Sequence, residues 1–146
     1  MSRYWNDAEG TMRAFDGDYL VTGDLGHTDQ EGYLFLDARE SDIIDLGGRK
    51  VAPQEIEAAI VEHPDVQDCA CVGVVDKHQL IGVKLAAFVV ANQGLSTQGN
   101  SRSLVAHLRR KLESYKVPTM IRWVTAIPRT ESGKIQRHKL ADLSQQ

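Results

Sequence analysis

Residues 43–57 read Ile43-Ile44-Asp45-Leu46-Gly47-Gly48-Arg49-Lys50-Val51-Ala52-Pro53-Gln54-Glu55-Ile56-Glu57, and the fold turns on how this stretch is read. Two short segments with apolar residues flank a Gly-Gly pair. Two-residue hairpin turns demand positive φ, which glycine adopts without steric cost, so the stretch opens as a tight β-hairpin. Pro53 then suits the first turn of a helix, with Glu55 and Glu57 near its positive end. Ile56, Ala59, Ile60 and His63 recur at i, i+3, i+4 and i+7 along one stripe, and Pro64 stops the helix.

Downstream, a strand is expected at about 68–75 and a second from Lys84 to Ala91, then a polar loop from Asn92 to Asn100. Leu104, Val105, Leu108 and Leu112 mark an amphipathic helix that Ser101 or Ser103 can cap. Met120 to Val124 makes a further strand, and Arg137 to Leu143 a short terminal helix. The resulting fold class is α+β: a small mixed sheet with a β-hairpin and two to three packed helices. Two amphipathic helices covering one face of the sheet is the economical packing. A ferredoxin-like binding module shares this outline, so topology alone does not decide function.

Upstream, the first forty residues are turn-rich, punctuated by Glu9-Gly10, Asp16-Gly17-Asp18, Thr22-Gly23-Asp24 and Asp29-Gln30-Glu31-Gly32. Tyr19-Leu20-Val21 and Tyr33-Leu34-Phe35-Leu36 are strand candidates there, and a β-hairpin meander is expected.

The 146 residues suffice for one compact domain with a flanking segment, and 42% hydrophobic with 25% charged residues is ordinary globular composition. Seventeen basic against twenty acidic residues leave a net charge of −3, which offers no broad attraction to nucleic acid or an anionic membrane. The runs Arg109-Arg110-Lys111 and Arg137-His138-Lys139 read as solvated helix faces. No apolar run approaches the roughly 20 residues of a membrane span. No signal-peptide core opens the chain, and two cysteines fit a reducing cytoplasm. Cys69 and Cys71, two apart on a strand, share one face; they read as buried small hydrophobes rather than metal ligands, and no metal site is expected.

Chemistry concentrates in Ile127-Pro128-Arg129-Thr130-Glu131-Ser132-Gly133-Lys134-Ile135. A phosphate-loop reading fails: that motif needs glycine where Pro128 stands and Ser or Thr where Ile135 stands. The segment still offers Lys134 on a flexible, Gly-flanked tether, able to swing a point charge onto a phosphate or carboxylate.

Three motifs together carry a resemblance. Tyr19-Leu20-Val21-Thr22-Gly23-Asp24 resembles the Tyr-x-x-Thr-Gly-Asp motif of the adenylate-forming superfamily of acyl-CoA and aryl-CoA synthetases, luciferases and peptide-synthetase adenylation domains. The stretch from Asp37-Ala38-Arg39 through Gly47-Gly48 to Pro53-Gln54-Glu55-Ile56-Glu57 is similar to its hinge and glycine-loop motif. Pro128 to Ile135 resembles its terminal catalytic-lysine motif. The motifs stand in the family's order and spacing, and the resemblance spans essentially the whole chain.

The resemblance implies an ATP-dependent carboxylate–CoA ligase of the acyl- or aryl-CoA type, with ATP, Mg2+ and coenzyme A as cofactors and fatty-acid metabolism as a setting. It implies that Asp24 binds the ribose hydroxyls, that Thr22 and Arg39 lie beside the nucleotide, and that Gly47 and Gly48 let a pantetheine arm pass. Lys134 becomes the catalytic lysine, and residues 1–38 the β-rich end of an N-terminal adenylating domain whose remainder is the chain's partner. Residues 39–146 become the mobile C-terminal domain. The pivot falls at Ser41, where the family usually has Asp or Lys. On this reading the chain is a fragment, inactive alone. The alternatives are an adenylase that loads a carrier protein, or a free-standing ferredoxin-like module.

Overall fold

The computed structural model describes residues 4–75, 82–92 and 100–144, and the chain divides into two compact units, Met1–Ser41 and Asp42–Gln146. Most of the polar loop expected over 92–100 lies outside the described residues.

The first unit contains helix α1 (Ala8–Ala14) and two antiparallel hairpins: β1 (Phe15–Asp16) with β2 (Tyr19–Leu20), and β3 (Asp24–Thr28) with β4 (Leu34–Arg39). The hairpins realise the expected meander; α1 goes beyond it. Its seven residues include Gly10 and Thr11, poor helix formers, and the helix starts because the Asp7 carboxylate accepts the Gly10 N–H at 2.7 Å. In β3 the register shifts between Leu25 and Gly26, and a Cβ at Gly26 would stand 2.4 Å from the Phe35 carbonyl oxygen. Only glycine fits that bulge. None of the described residues in this unit is buried, and Trp5 is 91% exposed. Met12, Tyr19, Leu34 and Leu36 are exposed too. Packed domains do not leave this much aromatic and aliphatic surface in water.

The second unit follows the expected order of elements. A 3-10 turn (Glu40–Asp42) straddles the boundary, and then come β5 (Ile44–Asp45), β6 (Lys50–Val51), α2 (Pro53–Val61), β7 (Val66–Val75), β8 (Val83–Ala91), α3 (Ser101–Lys111), β9 (Met120–Trp123) and α4 (Arg137–Leu143). The main sheet is β7-β8-β9, antiparallel between β7 and β8 and parallel between β8 and β9. The parallel pair requires a crossover, which α3 supplies. The sheet has three strands, one fewer than a ferredoxin-like sheet, because β5 and β6 pair only with each other among the described residues.

Side chains alternate along β7 and β8 with the period of two that strands impose. Cys69, Cys71, Leu85, Ala87 and Val89 face Ile56 and Ile60 of α2 and Leu104 and Leu108 of α3. Ala70, Val72, Ala86 and Phe88 face the other way, against Ile127 and Leu140 of α4. Two helices cover one face, as expected, and the terminal helix covers the second. Its one fully buried residue, Leu140, made that role hard to foresee. The cysteines are buried and unpaired, as read. Burial, with Glu57 and Asp68 adding negative charge nearby, pushes the Cys69 thiol up to about 12.

Two polar details correct the helix reading. Asn100, not a serine, caps α3: its side chain accepts the Arg102 and Ser103 N–H groups at 3.1 and 3.2 Å. The Ser101 and Ser103 hydroxyls bond to other elements instead. Ser101 Oγ accepts from Trp123 Nε1 at 2.9 Å, and Ser103 Oγ lies 3.0 Å from Nε2 of buried His63. Because His63 Nδ1 accepts the Asp65 N–H, its Nε2 carries the proton and donates to Ser103.

The Arg137 run is also corrected: Arg137 is not a solvated helix residue. Its Nη1 donates to Glu57 Oε1 at 2.5 Å and to the Cys71 carbonyl at 2.7 Å, and its Nη2 to Glu57 Oε2 at 3.2 Å. Glu57 Oε1 in turn accepts the Cys71 N–H at 2.7 Å. Arg137 and Glu57 side chains are only 18% and 14% exposed. Glu57 neighbours Ile56 and Ile60 at the margin of the apolar stripe, and a carboxylate there needs a cation. That was the available signal.

Removing one partner strands the other, so Arg137→Ala should cost about 3 kcal/mol in urea unfolding. A loss under about 0.5 kcal/mol would place the pair among exposed surface ion pairs. Cys69 and Cys71 should resist thiol reagents until the chain unfolds. The raised thiol also sets a pH window: its stability contribution is intact below pH 9.0 and is lost as pH rises toward 12, when the unfolded thiol ionises and the folded one does not. Rapid labelling of the native chain at pH 8 would contradict this.

Candidate functional site

In the first unit the hairpin register places Asp24 directly opposite Arg39. Arg39 Nε lies 2.9 Å from Asp24 Oδ1, so the two expected nucleotide residues form an ion pair. Gly23 turns the chain into β3 at φ 72°, and its carbonyl accepts the Glu40 N–H at 2.8 Å. Thr22 Oγ1 accepts the Asp24 N–H at 3.2 Å. Thr22, Gly23, Arg39, Glu40 and Ser41 line a shallow concavity beside the pair. Two sequence segments, 22–24 and 39–41, thus converge on one spot and bring together an acidic side chain with acceptor capacity, a rigid guanidinium and a threonine hydroxyl. An ionised carboxylate can accept from two vicinal hydroxyls, and the guanidinium fork orients it.

In the second unit Gly47 and Gly48 form the tip of the β5–β6 hairpin, with φ 69° and 92°. The Leu46 N–H donates to the Arg49 carbonyl at 2.9 Å, closing a two-residue turn, and Asp45 Oδ1 accepts the Gly48 N–H at 2.5 Å. A Cβ at either glycine would meet nothing within 4 Å. The positive φ, not crowding from this unit, requires glycine, and the backbone at the tip is open to approach. Behind it the Arg49 guanidinium lies 4.9 Å from the Tyr115 ring centroid, a cation–π contact that sequence reasoning missed.

Lys134 sits on a turn between Ile127 and α4. Where a flexible tether is expected, the backbone is pinned. Arg129 and Ile135 are bridged as antiparallel partners. The Thr130 N–H donates to the Lys134 carbonyl at 2.8 Å, the Gly133 N–H to the Thr130 carbonyl at 2.9 Å, and the Lys134 N–H to Thr130 Oγ1 at 3.1 Å. Freedom belongs to the lysine side chain, which is exposed and has no ion-pair or hydrogen-bond partner among the described residues. Ser41, expected at a hinge, lies in the 3-10 turn at the boundary between the units. Among the described residues no group of three or more His, Cys, Asp or Glu is arranged to hold a metal ion. No helix among them is long and apolar enough to cross a membrane.

Over 141 residues the chain is 38% identical to the sulfoacetate–CoA ligase of Cupriavidus necator, covering 96% of this chain and 27% of that protein. It is 36% identical over 142 residues to a long-chain-fatty-acid–CoA ligase of Bacillus subtilis, covering 97% of this chain and 25% of the relative. The crystal structure of the anthranilate CoA ligase AuaEII in complex with anthranoyl-AMP superposes with a TM-score of 0.86 at 34% identity, over 97% of this chain and 27% of that one. The chain therefore spans about a quarter of the length of these relatives. The AMP-binding enzyme C-terminal domain family matches residues 55–134, more than half the chain and the interval from α2 to Lys134. The chain belongs to that family.

Proposed function

We propose that this chain supplies the mobile, lysine-bearing part of an ATP-dependent carboxylate–CoA ligase. The observation that carries the reading is Lys134: an exposed ammonium, unpartnered among the described residues, on a pinned turn. Residues 1–38 form the end of a large nucleotide-binding domain, and the exposed apolar surface of the first unit is the face that this domain covers. Residues 39–146 form the small domain, pivoting at Ser41. A free-standing module would leave Trp5, Met12 and Tyr19 in water without reason.

In the first half-reaction a carboxylate oxygen attacks the α-phosphorus of ATP. The bond to the bridging oxygen of pyrophosphate breaks, giving acyl-adenylate. Negative charge gathers on the α-phosphate, and Lys134 offsets it with a point charge that costs no reorganisation at the moment of reaction. Asp24 accepts the ribose hydroxyls, with Arg39 and Thr22 holding it in place. In the second half-reaction the thiol sulfur of coenzyme A attacks the acyl carbon, its proton passes to solvent, and AMP leaves with the C–O bonding electrons. The open Gly47-Gly48 tip passes the pantetheine arm. Mg2+ accompanies the triphosphate, and no residue described here is assigned to it.

The relatives named above act on a short sulfonated acid, a long-chain fatty acid and an aromatic acid, yet resemble this chain almost equally. Acyl choice therefore resides outside these residues, and a fatty acid is one substrate within the reading. The setting is cytoplasmic.

In the parent enzyme, Lys134→Ala should lower adenylation kcat about 10²–10³-fold and leave thioesterification of supplied acyl-adenylate unchanged, as followed by pyrophosphate and thioester release. Equal loss in both half-reactions would refute the role. Asp24→Ala should raise KM for the nucleotide in both steps. Gly48→Val, which forces a branched side chain to φ 92°, should impair thioesterification first. Thioester should form with free coenzyme A; a product seen only with a carrier protein would replace the acceptor.

A further inference from the structure

Beyond Lys134 itself, the way its turn is mounted is well defined. The Arg129 guanidinium bridges two things at once. Its Nη1 donates to the carbonyl of Gly133, the residue before Lys134, at 3.1 Å. Its Nη2 donates to both carboxylate oxygens of Asp68, each at 2.9 Å. Asp68 is not free to follow: its Oδ1 also accepts the Cys69 N–H at 2.9 Å. It stands on β7 just past a register shift between Val66 and Asp68, where the strand becomes buried on both faces through Cys69, Ala70, Cys71 and Val72. At the other end of the turn the Gln136 N–H donates to the Pro128 carbonyl at 2.8 Å, and Arg137 is held by Glu57 and Cys71.

We propose that Arg129 and Asp68 are positioning residues for Lys134, fastening its turn to strand β7 so that the ammonium is delivered at a fixed place. This rests on the reading of Lys134 as the adenylation lysine. The side chains of Arg129 and Asp68 are 40% and 36% exposed, and ion pairs so exposed contribute little to stability. Their value lies in geometry. A catalytic charge misplaced by an ångström loses most of its effect on the transition state. The pair must be Arg and a carboxylate: only the guanidinium fork reaches the Gly133 carbonyl and Asp68 together, whereas a lysine ammonium is a single point that would have to choose.

The test compares Asp68→Asn, Asp68→Glu, Arg129→Lys and Lys134→Ala in the parent ligase, with the two half-reactions measured separately and thermal midpoints alongside. Asp68→Asn and Arg129→Lys should each lower adenylation kcat about tenfold or more, with KM for ATP, the thioesterification rate and the thermal midpoint unchanged. Asp68→Glu, which keeps the carboxylate, should recover most of the rate. If Lys134→Ala abolishes adenylation while Asp68→Asn and Arg129→Lys match the parent, or depress both half-reactions alike, the positioning role is overturned and the catalytic lysine stands. If Lys134→Ala spares adenylation, the reading of the lysine itself falls.

Discussion

The second unit is organised around one ion pair placed where a strand is missing. Strand β7 lies at the edge of the main sheet, and the backbone N–H and C=O of Cys71 are bonded to the Glu57 and Arg137 side chains instead of to a neighbouring strand. A buried backbone group left unpaired would cost free energy comparable to a lost hydrogen bond. The pair satisfies donor and acceptor together and also neutralises two largely buried charges. It reaches further still: Arg137 Nε lies 3.4 Å from Asp42, next to the boundary between the units. Helices on opposite faces of the sheet, α2 and α4, are thereby tied to one strand and to the start of the unit.

That arrangement explains why the lysine turn is rigid. The turn runs between two arginines, and both reach β7, one through Asp68 and the other through Cys71 and Glu57. A reaction that needs a cation at one moment and its absence at another is served by a rigid carrier that moves as a body. A floppy loop would lose orientation as well as position. The glycine hairpin, built on β5 and β6 within the same unit, has its own fixed turn geometry. On the proposed reading, mobility belongs to a pivot at Ser41, and the fixed turn geometry to the unit that carries Lys134.

Much of this was legible because local rules and tertiary demands agree. The Gly47-Gly48 turn, the stripe Ile56-Ala59-Ile60-His63 and the shared face of Cys69 and Cys71 follow from φ preference and periodicity alone. Asp24 and Arg39 were singled out by motif, and the β3–β4 register brings them together. What stayed hidden depends on partners distant in sequence. Arg137 looks like part of a solvated basic run until Glu57, eighty residues earlier, is placed beside it. Ser101 and Ser103 are good caps locally, but Trp123 and His63 claim their hydroxyls and leave the cap to Asn100. Helix α1 was missed because one Asp7 contact outweighs poor helix propensity.

The most direct measurement is a crystal structure of the parent ligase with α,β-methylene ATP and its carboxylic acid bound. The Lys134 ammonium should lie within hydrogen-bond distance of the α-phosphate and the carboxylate, with Asp24 on the ribose hydroxyls. An α-phosphate held by other cations, with Lys134 in solvent and its turn detached from Asp68, would contradict it.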